Sequence, residues 1–345
     1  MKILIIRTSP GVIGGAELSA YDQAVVLKEL GHEPILSINL RDLKKRAKNE
    51  EVKTAWFPWI NRGPGKLRII IFFGLMPFTY FVAIYLVLRY RPDIVNPHSR
   101  EDQIAFTLTK FLHRRPVIWK NPGDLRTHLG EKPINPLKKL YKRFLKKAVR
   151  KADHVYSLNE DDSTLLAERT GIKPPKLSTI PASILFRNYD RGAKPMDRPS
   201  DIVVVGSLCR AEEEKGIQNL ISAAKALPAD KFEFWIANEG SYAKTLVAQA
   251  KGQDNIRFFD YVADVSSYYK SLDIFVHVPI SESWGRVIKE AMYFGLPIIG
   301  TDVGGIKRQI TNEQTGFLTN YGNIEEIIEL LKKLKRINNF SFNLT

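Results

Sequence analysis

A chain of 345 residues is long enough for two ordinary domains, each with its own core. Its 44% apolar and 26% charged residues carry no compositional sign of wholesale disorder, and the single Cys209 excludes an intramolecular disulfide, which suits a reducing compartment. The net charge of +15 asks for an anionic partner, whether a phosphate-rich ligand, an anionic membrane or nucleic acid, and charge alone does not choose among them.

The apolar run in Met1-Lys-Ile-Leu-Ile-Ile-Arg7 is too short for a signal peptide, so it predicts a buried first strand and an unsecreted protein. A turn with Gly11, Gly14 and Gly15 follows, then a helical pattern through Ala24, Val25, Leu27 and Leu30, then a second strand from Glu33. Strand, glycine-rich turn, helix and strand is the order expected at the start of a doubly wound parallel sheet. The glycine spacing is not Gly-x-Gly-x-x-Gly, which weighs against a dinucleotide-dependent oxidoreductase. Gly14 and Gly15 at a helix start still allow a phosphate or sugar to come close, while Gly11 reads equally as a binding residue or as part of a tight turn.

Beyond a basic stretch (Arg41 to Lys48), the twenty residues from Ile69 to Leu88 carry no charge, with Lys66, Arg68, Arg89 and Arg91 flanking them. That length could span a bilayer, but Pro92-Asp-Ile-Val-Asn-Pro-His98 follows at once as another strand of the same sheet. The sequence therefore predicts a helix interrupted near Pro77, with one face on the sheet and the rest free to enter a membrane surface. A wholly core-buried helix is the alternative. His98 falls at a strand end of an open parallel sheet, where ligands collect, and is a site candidate. Another strand over 116–120 leads to Asn121-Pro-Gly123-Asp124. From Leu137 to Lys151 there are eight basic residues and no acid, and positions 137, 140, 141, 144, 145 and 148 are apolar at helical spacing. This basic amphipathic pattern predicts contact with an anionic membrane surface.

Residues 186–200 read as a linker, dividing an N-terminal domain over 1–185 from a C-terminal domain over 201–335. The second half repeats the strand, loop and helix order from Asp201 onward. Its most informative stretch runs from Pro279 to Gly300. Glu282 lies in a loop before a helix starting near Gly285, and Glu290 lies about a turn and a half inside that helix. The N–H groups around Ser283, Trp284, Gly285 and Arg286 can hold phosphate, and both carboxylates can accept from sugar hydroxyls.

Glu282-x7-Glu290, followed by Ala-Met-x-x-Gly-x-Pro297 and by Gly304-Gly305, resembles the signature of family 4 retaining glycosyltransferases of the GT-B fold. The resemblance covers nearly the whole chain and is most specific from 274 to 318. It implies an α/β architecture of two Rossmann-like doubly wound domains facing a cleft. It also implies that Gly14-Gly15-Ala-Glu17 is the N-terminal loop facing the donor, and that His98 lies near the transferred sugar. Glu282 would hold sugar hydroxyls and Glu290 ribose hydroxyls, Lys215 would neutralise the donor diphosphate, and Tyr261-Val262 would read the base. Several positions depart from the family pattern. Ser207 stands where an arginine is usual, with Arg210 a possible substitute; Ala182-Ser183 replaces Asn-Gly; Arg308 replaces an acid. Residues 336–345 would begin a return helix, and the chain stops there either because this member is short or because it is truncated.

The activity expected is metal-independent, retaining transfer from a nucleoside-diphosphate sugar, UDP- or GDP-linked, to a lipid-linked or membrane-surface glycan. The protein would sit in the cytoplasm, peripheral on the inner face of the cell membrane through 69–88 and 137–151, with no nucleic-acid partner and no cofactor. A non-catalytic membrane-associated module on the same fold and a nucleotide-sugar epimerase are the alternatives.

Overall fold

The computed structural model describes residues 1–9, 13–56, 67–121, 123, 136–237 and 239–336. Gly11, Asp124 and the expected return helix beyond Arg336 lie outside the described residues. The chain divides into two units, Met1–Ser183 and Ile184–Thr345.

The first unit holds β1 (Lys2–Arg7), β2 (Glu33–Ile38), β3 (Lys53–Ala55), β4 (Ile94–Pro97), β5 (Ile118–Asn121), β6 (His154–Ser157) and β7 (Leu177–Thr179). The middle of β1, Ile3-Leu-Ile-Ile6, is buried throughout rather than on alternate residues. A parallel strand covered on both faces requires that unbroken apolar run. β1 pairs with β2 and β4, and β2 with β3, all in parallel. A single bridge from Val95 to Val117, with the Val95 N–H donating to Pro116 O at 2.9 Å, carries the sheet on to β5-β6-β7. The resulting order is 3-2-1-4-5-6-7.

The second unit holds β8 (Val203–Leu208), β9 (Phe232–Ala237), β10 (Ile256–Phe259), β11 (Ile274–His277), β12 (Ile298–Thr301) and β13 (Phe317–Thr319). They form one six-stranded sheet in the order β10-β9-β8-β11-β12-β13. Counted from its own first strand this is again 3-2-1-4-5-6. In each unit the order reverses at the first strand, so the carboxyl ends of β1 and β4, and of β8 and β11, border the crevice where such sheets bind ligands. His98 follows β4 directly, and Glu282 sits in the loop after β11.

The apolar segment forms one helix, Leu67–Tyr90, which runs through Pro77 without the expected interruption. Pro77 lacks the N–H that would bond to Phe73 O, a loss worth about 3 kcal/mol in an isolated helix. Packing on both sides of the proline holds the helix together: Phe72 before it, and Val82, Ala83, Leu86 and Val87 after it, are buried in the core of the first unit. The opposite face is not core, because Ile70, Phe78, Phe81, Tyr85 and Leu88 are all exposed. By length and composition 69–90 could cross a membrane, and only 22% of its most apolar window is buried against the rest of the protein. Phe72 meets Tyr141 edge to face at 5.1 Å and Phe73 meets Phe144 at 5.8 Å, so the basic helix Pro136–Lys151 packs beside it.

The segment 186–200 is fastened along the second unit. Phe186 stacks on Tyr293 at 4.8 Å, the Asp190 N–H donates to Ser266 Oγ, and the Met196 N–H donates to Ser271 Oγ. Arg198 then makes a two-pronged pair with Asp273, whose Oδ2 also accepts the Val204 N–H at the start of β8.

Candidate functional site

Two loops of the second unit are tied together at the carboxyl ends of β8 and β11. The Ile280 N–H donates to Glu214 O at 2.9 Å, and Gly216, at φ +73, passes so close to Val278 that a Cβ there would lie 1.9 Å from the carbonyl oxygen. Those contacts place Lys215 Nζ 2.8 Å from Glu282 Oε2, with His277 Nε2 3.4 Å from the same oxygen. Glu282 Oε1 accepts the Ser283 N–H at 3.1 Å. Burial would push the Glu282 carboxyl up, but the Lys215 charge and the His277 hydrogen bond outweigh it and hold the group well below the usual carboxylate range. Burial likewise opposes the Lys215 ammonium, and the Glu282 carboxylate overcomes it and raises the lysine. Burial lowers His277, with Lys215 adding to the effect and Glu282 opposing it. The result is an ionised pair beside a neutral imidazole. Lys215 has three donors, one of which is engaged by Glu282, so it retains capacity for a phosphate oxygen.

The loop carrying Glu282 is pinned from behind. The Gly305 N–H donates to Glu282 O at 3.0 Å, and a Cβ on Gly305 would meet Ser283 O and Trp284 Cα at 2.5 Å, so the backbones can approach this closely only because residue 305 is glycine. Gln309 donates to Trp284 O. The indole N–H of Trp284 is buried without a hydrogen-bond partner among the described residues. Gly285, at φ +77, caps the helix Arg286–Tyr293. Inside it Glu290 is 5% exposed, and it accepts Tyr189 Oη on Oε1 at 2.8 Å and Tyr269 Oη on Oε2 at 3.1 Å.

Other expected residues lie farther off. Arg210 is exposed on the loop after β8, next to Cys209, whose thiol burial pushes up to about 12. Tyr261 is 67% exposed and Val262 half-buried beyond β10. They share the sheet edge with Glu282 but stand three strands from β11, roughly 14 Å at the usual strand spacing. Ser207 is buried, and a hydroxyl supplies no positive charge in place of the missing arginine.

In the first unit Gly14 caps the helix Gly15–Glu29, and its N–H donates to Glu17 Oε2 at 3.1 Å. Arg7 pairs with the same carboxylate at 2.8 Å. His98 is buried. Its Nε2 lies 2.9 Å from Asn96 Oδ1, while the Asn96 amide donates to Ile118 O. The amide orientation assigns the proton to Nε2 and leaves Nδ1 a buried acceptor without a partner among the described residues. Burial, then Lys120 and Arg7, hold His98 well below its ordinary range, so the ring is neutral.

Sequence reasoning missed His277, Tyr189 and Tyr269. His277 could have been found, since it ends an apolar strand five residues before Glu282. The two tyrosines are 101 and 21 residues from Glu290, and no spacing announces them.

Two parallel sheets, of order 3-2-1-4-5-6-7 and 3-2-1-4-5-6, each with its polar cluster at the switch point, define a two-domain α/β protein of the GT-B class. Residues 192–343 match the family model described as glycosyl transferases group 1, and residues 13–184 that of glycosyltransferase family 4; the chain belongs to this family of glycosyltransferases. An uncharacterized glycosyltransferase of Haemophilus influenzae is 32% identical over 201 residues, 56% of this chain and 54% of its own length. The capsular polysaccharide biosynthesis glycosyltransferase CapM of Staphylococcus aureus is 22% identical over 287 residues, 79% of this chain and 74% of its own. The first of these alignments thus spans about half of the relative. Anabaena Alr3699/HepE, solved with UDP and glucose, superposes with a TM-score of 0.75 at 20% identity, covering 99% of this chain and 92% of its own. The sucrose-phosphate synthase of Thermosynechococcus elongatus superposes at 0.78 with 16% identity over the same shares, so both likenesses concern the fold.

Proposed function

We propose that this chain moves a sugar, with retention and without a metal, from a UDP- or GDP-linked donor to a hydroxyl of a lipid-linked or membrane-surface glycan in cell-envelope polysaccharide or glycolipid synthesis. The observation that carries the reading is the Lys215–Glu282 pair at 2.8 Å, set before the head of the helix that presents Glu290. Departure of a diphosphate builds negative charge, and the Lys215 ammonium and the helix N-terminus supply fixed positive charge for it. Glu282, ionised and acceptor-only, takes donor-sugar hydroxyls, and Glu290 takes ribose hydroxyls. His98, neutral with Nδ1 as acceptor, positions a hydroxyl rather than exchanging a proton. The UDP and glucose held by HepE and the capsular role named for CapM support this donor and pathway class.

A panel of UDP-, GDP-, ADP- and dTDP-sugars is expected to raise the melting temperature of the wild type with one nucleotide and not that of Glu290→Ala. A ligand at 100 times its Kd adds about 2.7 kcal/mol to the native state. No shift with any of them would favour the non-catalytic module.

For the membrane part of the reading, the support is the exposed row Ile70, Phe78, Phe81, Tyr85 and Leu88 beside the basic helix Pro136–Lys151. Each basic residue near an anionic leaflet contributes about 1 kcal/mol, and each large apolar side chain inserted about 1.5–3 kcal/mol. Wild-type protein is expected to sediment with phosphatidylserine-containing vesicles and much less with zwitterionic ones. Phe81→Glu with Leu88→Glu should reduce that binding by at least tenfold; unchanged binding would remove the helix from the interface.

A further inference from the structure

Glu290 is held in an unusual way for a carboxylate expected to receive a ligand. Both its oxygens are already occupied by phenols, that of Tyr189 from the 186–200 segment and that of Tyr269 from the helix Val265–Lys270. The two rings are themselves fixed. Tyr269 is fully buried and stacks on Phe294 at 5.4 Å, and Tyr189 meets Tyr293 and Phe294 edge on at 6.3 and 6.4 Å. Phe186 and the Arg191 guanidinium, 5.3 Å above Tyr293, cover the same aromatic cluster. Burial, and then the Glu290 charge, raise both phenols above their ordinary range, so each remains an O–H donor. Arg286 Nε stands 3.6 Å from Oε1.

A carboxylate oxygen accepts two hydrogen bonds, so one phenol on each leaves one site on each. That remainder is two acceptor positions side by side, which matches a vicinal diol. We infer that Tyr189 and Tyr269 are positioning residues for the donor's ribose, each fixing one oxygen of Glu290 so that the remaining acceptor sites meet the 2′- and 3′-hydroxyls together. The inference rests on the proposed ribose role of Glu290 and adds what sets its geometry. It also makes the site selective for ribonucleotides over 2′-deoxyribonucleotides.

The test compares calorimetric Kd values for UDP and GDP with those for 2′-deoxy-UDP and 2′-deoxy-GDP. The proteins are wild type, Tyr189→Phe, Tyr269→Phe and Glu290→Gln. Phenylalanine keeps both ring clusters and removes only the donor. Wild type is expected to prefer the ribonucleotide by about tenfold, the size of one hydrogen bond to a charged group. In each tyrosine variant that ratio should fall at least threefold, because the ribonucleotide weakens while the deoxynucleotide barely changes. A merely structural role would weaken both nucleotides equally and keep the ratio, and that result overturns the inference. If Glu290→Gln loses the ratio and the tyrosine variants keep it, the positioning role alone fails. If Glu290→Gln keeps it, or wild type binds neither nucleotide, the ribose reading of Glu290 fails and takes the inference with it.

Discussion

Glu282→Gln is expected to lower sugar transfer by roughly 10²- to 10³-fold, the range found when one charged or hydrogen-bonding stabiliser is taken from a preorganised site. The amide keeps the size of the side chain but not the charge. Lys215 then loses the negative charge 2.8 Å away that holds its ammonium in place, and His277 keeps only a neutral acceptor for its Nε2–H. Breaking a buried pair typically costs 3–5 kcal/mol when one charge is left alone, and glutamine, which can still accept, should cost less. On the proposed reading, in which Glu290 and the helix head hold the nucleotide, its affinity should stay within a few-fold, so the loss should appear in kcat. A loss confined to KM would place Glu282 in binding only.

The same variant should change the acid limb of stability. The Glu282 carboxyl, ordinarily near 4.5, is held lower in the fold, so the unfolded chain binds its proton more readily. Its contribution is present above pH 4.5 and is lost progressively as pH falls from there toward the folded value. Lys215, raised above its ordinary 10.5, behaves oppositely: its contribution holds below 10.5 and disappears as pH rises through the folded value. Urea midpoints at pH 7, 5 and 3 should therefore fall more steeply for wild type than for Glu282→Gln. Parallel curves would mean that the pair does not stabilise the fold.

Gly216→Ala is the second large effect. Residue 216 sits at φ +73, where an alanine costs about 1–2 kcal/mol, and its Cβ would lie 1.9 Å from Val278 O and 2.8 Å from Val278 C. Those are backbone atoms at the end of β11 and cannot rotate away, so the two loops must separate. Gly252→Ala separates the two causes, because it has φ +80 with nothing within 4 Å of the Cβ. We expect Gly252→Ala to lose about 1–2 kcal/mol and Gly216→Ala at least about 4, in the range reserved for severe backbone and packing conflicts. At about 2–4 °C per kcal/mol, the melting temperature should drop about 8 °C or more for Gly216→Ala. Transfer should fall further than stability does, since Lys215 is the neighbouring residue. Equal effects at 216 and 252 would show that only the dihedral matters.

Much of this was legible from residue patterns because parallel strands buried on both faces write themselves as continuous apolar runs. Ile3 to Ile6 and Ile274 to His277 are examples, and the polar residues that follow such runs mark the sheet's ligand edge. The loop with Glu282 and the helix with Glu290 were legible for the same local reason: a glycine at the helix start and helical spacing behind it. Pro77 misled because a proline penalty is a property of an isolated helix, and here Phe72, Val82 and Leu86 pack on both sides of it. The hold on Glu290 was invisible for another reason. A hydrogen bond between residues 189 and 290 depends on how a connecting segment lies over the aromatic cluster of Tyr293 and Phe294, and no short-range spacing encodes that.

The order of strands in the first sheet also sets a schedule for synthesis. β1 lies in the middle of that sheet, with β2 and β3 to one side and β4 to the other. As the chain emerges from its N-terminus, β1 can pair on the β2 side once Ile38 has appeared, but its other edge has no partner until Ile94–Pro97 is made. The helix Leu67–Tyr90 emerges in that interval, with Phe72 and Leu86 still waiting for the sheet that will cover them. From Leu67 until Pro97 is made, the nascent chain carries both an open strand edge and an apolar helix without its covering sheet. That is when it is most exposed to mispairing, and when a chaperone or a bilayer close to the ribosome would have most to hold.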